Sequence, residues 1–224
     1  IVLYADELRE RERMRLPQLR NQQADRERNL SLADFVAPLG SGVKDYVGAF
    51  AVTAGLGLEE LAGRYRSEGD DYRAIMAKLL ADRLTEAFAE ALHRYARVTL
   101  WGYEREGQWS VGDLLAEKYQ GIRPAFGYPS APDHSLKADV FALMDVGTVT
   151  GMTMTESYMI VPGEAACGLM LGHPEARNFS VGRIDSEQLA SYAARRGTDP
   201  EKMRVLIPQH LIDMYCLLYT SDAA

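Results

Sequence analysis

Hydrophobic positions recur most regularly between residues 70 and 97, at the spacing of an α-helix. Charged residues separate the apolar ones, which are Ile75, Leu79, Leu80, Leu84, Phe88, Leu92 and Tyr95. One apolar stripe of this period, uninterrupted by Gly or Pro, predicts a single long helix. His93 stands among the charged residues of this helix, so we expect it to lie at the surface.

Shorter patterns predict the other elements. Runs of apolar residues between turn signals predict strands over 1–4, 46–52, 97–103, 154–159, 167–171 and 179–184. Helix signals predict helices over 19–28, 111–118, 135–146, 186–196 and 199–206. Ser110 and either Asp185 or Ser186 are placed as N-caps, and Gly197 as the residue after a helix. This mixture, without repeats or regular strand–helix alternation, predicts an α+β fold with mostly antiparallel strands.

The segment from 119 to 134 fits neither period. Its glycines and prolines exclude regular secondary structure; they are Gly121, Pro124, Gly127, Pro129 and Pro132. It also carries one arginine and three aromatic residues, namely Arg123, Tyr119, Phe126 and Tyr128. A long loop of this kind is more often functional than a plain linker.

Composition excludes several function classes. The 224 residues carry 25 Lys and Arg against 32 Asp and Glu, a net charge of −7. A nucleic-acid or anionic-membrane partner would need a basic footprint instead. No apolar run approaches the ~20 residues of a membrane span. Two cysteines, Cys167 and Cys216, exclude a disulfide framework and favour a cytoplasmic location, and Cys167 is predicted to be inert core.

Common catalytic and metal motifs are missing. The chain contains no G-x-S-x-G, no Walker loop and no C-x-x-C. The four histidines, His93, His134, His173 and His210, are scattered, and none pairs with another His or Cys at metal-ligand spacing. The sequence therefore predicts no bound metal.

The chain ends set the expected domain bounds. Residue 1 is Ile and opens a strand pattern, which is typical of an N-terminally truncated domain. Pro208 closes the last helical pattern, so we expect one domain over 1–207 and a tail over 208–224. The last nine residues, from Cys216, have no periodicity and resemble translated read-through of a sequencing adapter; an ordinary mobile tail is the alternative.

A series of motifs resembles the activation domain of cobalamin-dependent methionine synthase. In chain order they are SLADFVAP at 31–38, DYVGAFAVT at 45–53, ADRLTEAFAE at 81–90, RPAFGYP at 123–129, TES at 155–157 and HP at 173–174. The resemblance covers residues 1 to about 206. It implies a single C-shaped α+β domain with helices around a bent sheet.

The resemblance implies an S-adenosylmethionine-binding module of a methyltransferase, which acts on 5-methyltetrahydrofolate and homocysteine. The module would present a methyl group to cobalamin that has been oxidised and re-reduced. Arg123 would hold the donor's carboxylate with its planar fork, and Asp34 would accept from the ammonium, so both should face one cleft. Because both reactants are already activated, orientation suffices and no catalytic acid or base is expected.

Further binding residues follow from the same resemblance. Glu86 matches an acidic residue near the donor, and Tyr128 a tyrosine that faces the corrin. Ala125 would contribute backbone hydrogen bonds. Asn178 and Phe179 stand where relatives carry two aromatic residues, so stacking on the adenosine would be weaker or carried by Phe179 alone. A solvent-facing carboxylate and a packed loop aromatic are the plainer alternatives for Glu86 and Tyr128.

Other modules of the family are not encoded here. The cobalt-ligand motif D-x-H-x-x-G and the zinc cysteines are absent, so a cobalamin domain elsewhere would hold the corrinoid, and zinc would belong only to absent modules. The chain would not be catalytically complete alone. Its expected partners are that cobalamin domain and a flavodoxin-like or reductase electron donor. Arg9, Arg11, Arg13 and Arg15 are candidates for docking the donor, although a solvated face is the plainer interpretation.

Two other functions remain open at this point. The chain could be a free-standing module that docks onto a corrinoid protein and has lost the donor site. It could also be a structural interaction domain with no ligand.

Overall fold

The computed structural model describes residues 1–23 and 28–212. The α-helices of these residues are α1 Leu58–Ser67, α2 Asp71–Tyr95, α3 Val111–Leu115, α4 Leu136–Met144, α5 Val146–Thr150, α6 Ser186–Arg196 and α7 Pro200–Leu206. The strands are β1 Val2–Tyr4, β2 Glu12–Arg15, β3 Gly48–Thr53, β4 Thr153–Met154, β5 Ile160–Val161 and β6 Ala165–Met170. Short 3-10 helices span Leu32–Phe35 and Pro208–His210. No helix among the described residues is long and apolar enough to cross a membrane.

The three strand pairings among the described residues are antiparallel. β1 pairs with β2, β3 with β6 and β4 with β5, and each pair is a separate two-stranded ladder. The β3–β6 ladder is the longest, running from Gly48 opposite Met170 to Thr53 opposite Ala165. The α+β class and the antiparallel pairing are confirmed, with the strands divided among three ladders instead of one bent sheet.

The two largest of the three buried apolar clusters among the described residues organise most of the fold. The central cluster joins the 3-10 segment at Leu32 to α4 and β6. The second cluster packs α6 and α7 around Val181 and Ile184. Leu211 is buried in this second cluster, so packing continues past residue 207. The boundary at 207 stays a prediction, and the proposed read-through from Cys216 lies outside the described residues.

Helix α2 buries a different set of residues from the large apolar ones that predicted it. The buried residues are small or polar: Ala74, Ala81, Thr85, Ala89 and His93. Most of the apolar stripe is exposed, at 51% to 60% for Ile75, Leu79, Leu80, Leu84, Phe88 and Tyr95. Small side chains allow the helix to approach β3 and β6 closely, and the hydroxyl of Thr85 donates to Glu164 O at 2.9 Å. The prediction that His93 lies at the surface is therefore wrong.

The predicted strand over 97–103 is also wrong. The chain continues from α2 into one π-helical turn, Ala96–Leu100. Arg97 is fully buried within this turn, which the charge of its side chain conceals in the sequence. Its guanidinium is held by the carboxylate of Glu104, which follows the turn, at 2.7 Å.

Two further predictions need correction. The described part of 19–28 is extended instead of helical, because its backbone bonds to other segments, including Asn21 N to Leu30 O and Gln22 N to Val181 O. Residues 179–184 form no strand, since only Ile184 makes a bridge, to Leu211. By contrast, the caps at Ser110 and Asp185 and the left-handed Gly197 are confirmed.

Candidate functional site

The loop over 119–134 is docked onto β6 by backbone hydrogen bonds. Ile122 and Leu171 exchange two bonds of 2.9 Å, Leu169 N donates to Pro124 O at 3.0 Å, and Phe126 N donates to Cys167 O at 3.0 Å. The irregular conformation predicted from its glycines and prolines is confirmed. Cys167 is buried under this loop, and burial raises the pKa of its thiol to about 12, which fits an inert core residue.

Gly168 permits the close approach between the loop and β6. A Cβ at this position would lie 2.2 Å from Pro124 O and 2.7 Å from the Cα of Ala125. Both are backbone atoms, so neither can swing away. Gly168 therefore fixes the height of the loop above the strand.

We expect Gly168→Ala to lower the free energy of unfolding by about 3 kcal/mol, at the upper end for overpacking. Displacement of the loop should also lower the affinity for any ligand that Arg123 binds. Urea unfolding monitored by circular dichroism measures the first effect. Gly63→Ala on exposed α1, where a Cβ meets nothing within 4 Å, is the control. Equal stability of the two variants would show that the loop tolerates displacement.

A cavity of about 540 Å³ lies between this loop, α2 and the segment at 178–180. Six of the residues implied by the family resemblance line it: Glu86, Arg123, Ala125, Tyr128, Asn178 and Phe179. The aromatic rings of Phe50 and Tyr119 and the carboxylate of Glu117 line it as well. Residues far apart in sequence thus meet in one cavity.

Arg123 presents one edge of its guanidinium to the cavity. Nη1 donates to the hydroxyl of Tyr119 at 2.6 Å and lies 2.5 Å from Glu90 Oε2. Nε and Nη2 make no hydrogen bond to the described residues. Burial opposes the charge, but Tyr119, Glu90 and Glu117 outweigh it and raise the pKa of Arg123. The group is a fixed cation whose Nε and Nη2 are available as donors as far as the described residues are concerned.

A buried charge network of Glu90, Arg97 and Glu104 contacts Arg123 through Glu90. Arg97 donates from Nε to Glu104 Oε2 at 2.7 Å, and its Nη2 lies 3.6 Å from Glu90 Oε1. The guanidinium carbon of Arg97 also lies 3.7 Å from the centre of the Tyr119 ring. Sequence reasoning missed this network, since its charged members look like surface residues of a helix and the turn after it. The aromatic loop position of Tyr119 was the one available signal.

The two carboxylates of the cavity have neutral partners. Tyr128 donates from its hydroxyl to Glu86 Oε1 at 3.0 Å, and Asn178 donates from Nδ2 to Glu117 Oε2 at 2.9 Å. Tyr128 is 53% exposed, so it lies at the rim and is not packed in the loop interior. Glu117 has a left-handed backbone with φ of 50°, which is uncommon for a residue with a side chain.

Asp34 does not line this cavity. Its carboxylate accepts from both Arg20 nitrogens, at 2.6 and 2.9 Å, and from Ser31 N at 2.9 Å. These bonds, the Arg20 pair first, lower its pKa. Asp34 borders two other depressions, one of which also contains Trp101, Tyr103, Gly172 and His173. The expectation that Asp34 and Arg123 face the same cavity is therefore not met.

One strip of backbone separates the two regions. Gly121 lines the cavity of Arg123, and a Cβ on it would lie 3.0 Å from the Tyr103 hydroxyl and 3.3 Å from Gly172 Cα. Tyr103 and Gly172 line the depression of Asp34 on the other side. The two regions are neighbours across Gly121.

His93 lies beneath the site without a hydrogen-bond partner on either ring nitrogen. Burial, with Arg97 and Arg123 nearby, lowers its pKa from 6.5 to about 3. The unfolded chain therefore binds one more proton than the folded chain between pH 6.5 and about 3. The stability associated with a neutral His93 is complete above pH 6.5 and is lost as the pH falls through this window.

We expect His93→Leu to flatten the acid branch of the stability curve. Relative to the unchanged protein, the variant should lose about 2 to 3 kcal/mol less between pH 7 and 4.5, since one pKa unit is ~1.4 kcal/mol. Urea unfolding at several pH values measures the difference. Parallel pH profiles for the two proteins would contradict the buried neutral state of His93.

No cluster of three or more His, Cys, Asp or Glu residues suited to a metal ion occurs among residues 1–23 and 28–212. The cavity combines a cation, two carboxylates that form no salt bridge with the described residues, aromatic rings and loop backbone. Such a combination has the charges and surfaces that suit a small zwitterionic ligand.

Comparison with known proteins agrees with this assignment. The family model described as "Vitamin B12 dependent methionine synthase, activation domain" matches residues 1–197. The chain belongs to this family. It is also similar to a solved structure described as "Crystal Structure of the MetH Reactivation Domain bound to AdoHcy", with 42% sequence identity and a TM-score of 0.90. That match covers 94% of this chain and 65% of the solved chain, so the chain spans just under two thirds of its relative's length.

Proposed function

We propose that this chain is an S-adenosylmethionine-binding reactivation module of cobalamin-dependent methionine synthase. The observation that carries the proposal is the convergence of six family-implied residues on the one cavity around Arg123. The similarity to a reactivation domain that binds AdoHcy supports it, since AdoHcy is the demethylated form of the same ligand.

The free edge of Arg123 defines the orientation of the donor. Nε and Nη2 can bind the ligand's carboxylate as a fork while Nη1 stays on Tyr119 and Glu90. The docked loop holds this fork in place, so little entropy is lost on binding. A carboxylate of the cavity, Glu86 or Glu117, then replaces Asp34 as the acceptor for the ammonium.

Asp34 receives a different role in this proposal. A carboxylate also accepts hydrogen bonds from ribose hydroxyls. We place the nucleoside end of the donor toward the Gly121 strip, beyond which Asp34 keeps a free lone pair on Oδ1. Ala125 would bind through its backbone, and Phe179 would stack on the adenosine without help from Asn178, which is bonded to Glu117.

The protein's contribution to methyl transfer is orientation. When bound by its own domain, cobalamin supplies the reduced cobalt that attacks the methyl group. The residues of this chain hold the donor and direct its methyl group toward the rim at Tyr128; no proton needs to move. The cobalamin domain and a flavodoxin-like or reductase electron donor are the proposed partners, and cytoplasmic location and a role in methionine biosynthesis belong to the same proposal.

The separation of Asp34 and Arg123 gives little support to the alternative, a docking module that has lost the donor site. The cavity retains a cation with free donors and two carboxylates of its own. Nothing in the geometry favours a ligand-free module.

Calorimetric titration of the chain with S-adenosylmethionine tests the proposal. We expect saturable binding with a dissociation constant below about 1 mM, a free energy of about −4 kcal/mol or better. Methionine and adenosine, each titrated separately, should bind much more weakly than the whole donor. No heat at millimolar donor would remove the basis of the proposal.

A further inference from the structure

The charges of the cavity distinguish the methyl donor from its own product. The cavity offers the cation Arg123 and the two carboxylates Glu86 and Glu117, neither of which forms a salt bridge with the described residues. Glu90 also lies against Arg123. The site as a whole therefore carries an excess of negative charge.

S-adenosylmethionine carries the complementary set of charges: one carboxylate, one ammonium and one sulfonium. Methyl transfer breaks the C–S bond and leaves its electron pair on sulfur, while the methyl carbon bonds to the attacking nucleophile. The resulting thioether is uncharged. The product keeps the carboxylate and the ammonium, so one carboxylate of the cavity loses its counter-charge.

The positions of the two carboxylates assign their partners. Glu117 lines the cavity two residues before Tyr119, whose hydroxyl accepts from Arg123 Nη1 at 2.6 Å, so we assign it to the amino-acid end of the ligand. It is also one of the groups that raise the pKa of Arg123. Glu86 is bonded to the hydroxyl of Tyr128 at 3.0 Å, at the exposed rim of the cavity. The ammonium of an amino acid lies beside its carboxylate, so Glu117 is suited to the ammonium. Glu86 is left for the sulfonium, next to the rim from which the methyl group would leave.

We propose that Glu86 is a specificity-determining residue that favours the cationic sulfonium donor over the neutral thioether product. This inference rests on the proposed function, because it concerns the ligand of the same cavity. As a consequence the product binds less tightly than the donor, because it lacks the sulfonium charge, and its release is favoured. Because Glu86 is exposed, the attraction is partly screened and we expect a moderate selectivity.

Calorimetry with S-adenosylmethionine and AdoHcy, on the full chain and three variants at low salt, tests the inference. The unchanged protein should bind the donor about three- to tenfold more tightly than the product, the range for one partly screened charge pair. Glu86→Gln should reduce this preference to about twofold or less, mainly by lowering the affinity for S-adenosylmethionine. Glu117→Gln should lower the affinity for both ligands by a similar factor, since both carry the ammonium. Glu60→Gln on α1, outside the cavity, should change neither constant.

The outcomes separate the two claims. A preference that Glu86→Gln leaves unchanged, with both ligands still bound, overturns this inference and leaves the proposed function intact. An equal loss for both ligands in Glu86→Gln also overturns it, because Glu86 then contacts the ammonium. Failure of both ligands to bind the unchanged protein overturns the proposed function itself. Glutamine preserves shape at these exposed positions, and unfolding midpoints confirm that the variants are folded.

Discussion

Arg97→Met is expected to lower the free energy of unfolding by about 3 to 5 kcal/mol, the usual cost of removing one partner from a buried ion pair. The guanidinium of Arg97 is fully buried, lies 2.7 Å from the buried carboxylate of Glu104 and packs 3.7 Å from the centre of the Tyr119 ring. Methionine fills similar space but leaves the charge of Glu104 uncompensated. Urea unfolding at pH 7, followed by circular dichroism, measures the loss.

Arg94→Met, in the last turn of α2 and three residues before Arg97, is the matched control. Arg94 pairs with Glu106, and their side chains are 42% and 71% exposed. Exposed pairs of this kind contribute at most about 1 kcal/mol. The double variant Arg97→Met/Glu104→Leu should recover part of the stability, because it removes the orphaned charge as well. A loss no larger than that of Arg94→Met would show that the buried network does not stabilise the fold.

Arg123→Met is expected to weaken S-adenosylmethionine binding by about 10- to 100-fold. Hydrogen bonds to charged groups contribute about 1.5 to 3 kcal/mol, and ~1.4 kcal/mol corresponds to one factor of ten. Arg123→Lys should recover only part of the affinity, because an ammonium cannot present two parallel donors to a carboxylate. Calorimetric titration of each variant with the donor gives the constants.

Two controls accompany this prediction. Arg64→Met on exposed α1 removes the same charge far from the cavity and should leave the constant within about twofold. The unfolding midpoint of Arg123→Met must also be measured, since Arg123 compensates Glu90. Undiminished affinity in a folded Arg123→Met protein would remove Arg123 from the site.

Local chemistry made part of the fold predictable. The Ser110 and Asp185 caps and Gly197 each depend on a few neighbouring residues, and all three have the expected geometry. The glycines and prolines of 119–134 likewise dictated an irregular loop. In each case the sequence signal and the structure that it determines lie within one turn of each other.

Predictions that depended on tertiary packing were less successful than those from local chemistry. Periodicity gave the length of α2 but not its buried face, because Ala81 and Ala89 carry little hydrophobic signal and still allow the closest packing on the strands. Arg97 and His93 are polar by type and buried by position. No pattern in the sequence indicates that a charge is neutralised by residues on either side of a π-helical turn.

The candidate site shows the same division. The family resemblance implied six residues, distributed from Glu86 to Phe179, that line one cavity together. The motifs do not specify which way a side chain points. Asp34 lies in one of the matching motifs, but its carboxylate is bonded to Arg20, which no motif includes.

A crystal structure of this chain with bound S-adenosylmethionine is the most direct test of the central claim. We expect the ligand to occupy the cavity at the 119–134 loop, with its carboxylate within hydrogen-bond distance of Nε or Nη2 of Arg123. We also expect the nucleoside to extend toward Asp34 across Gly121. A ligand seated elsewhere, with no contact to Arg123, would contradict the account.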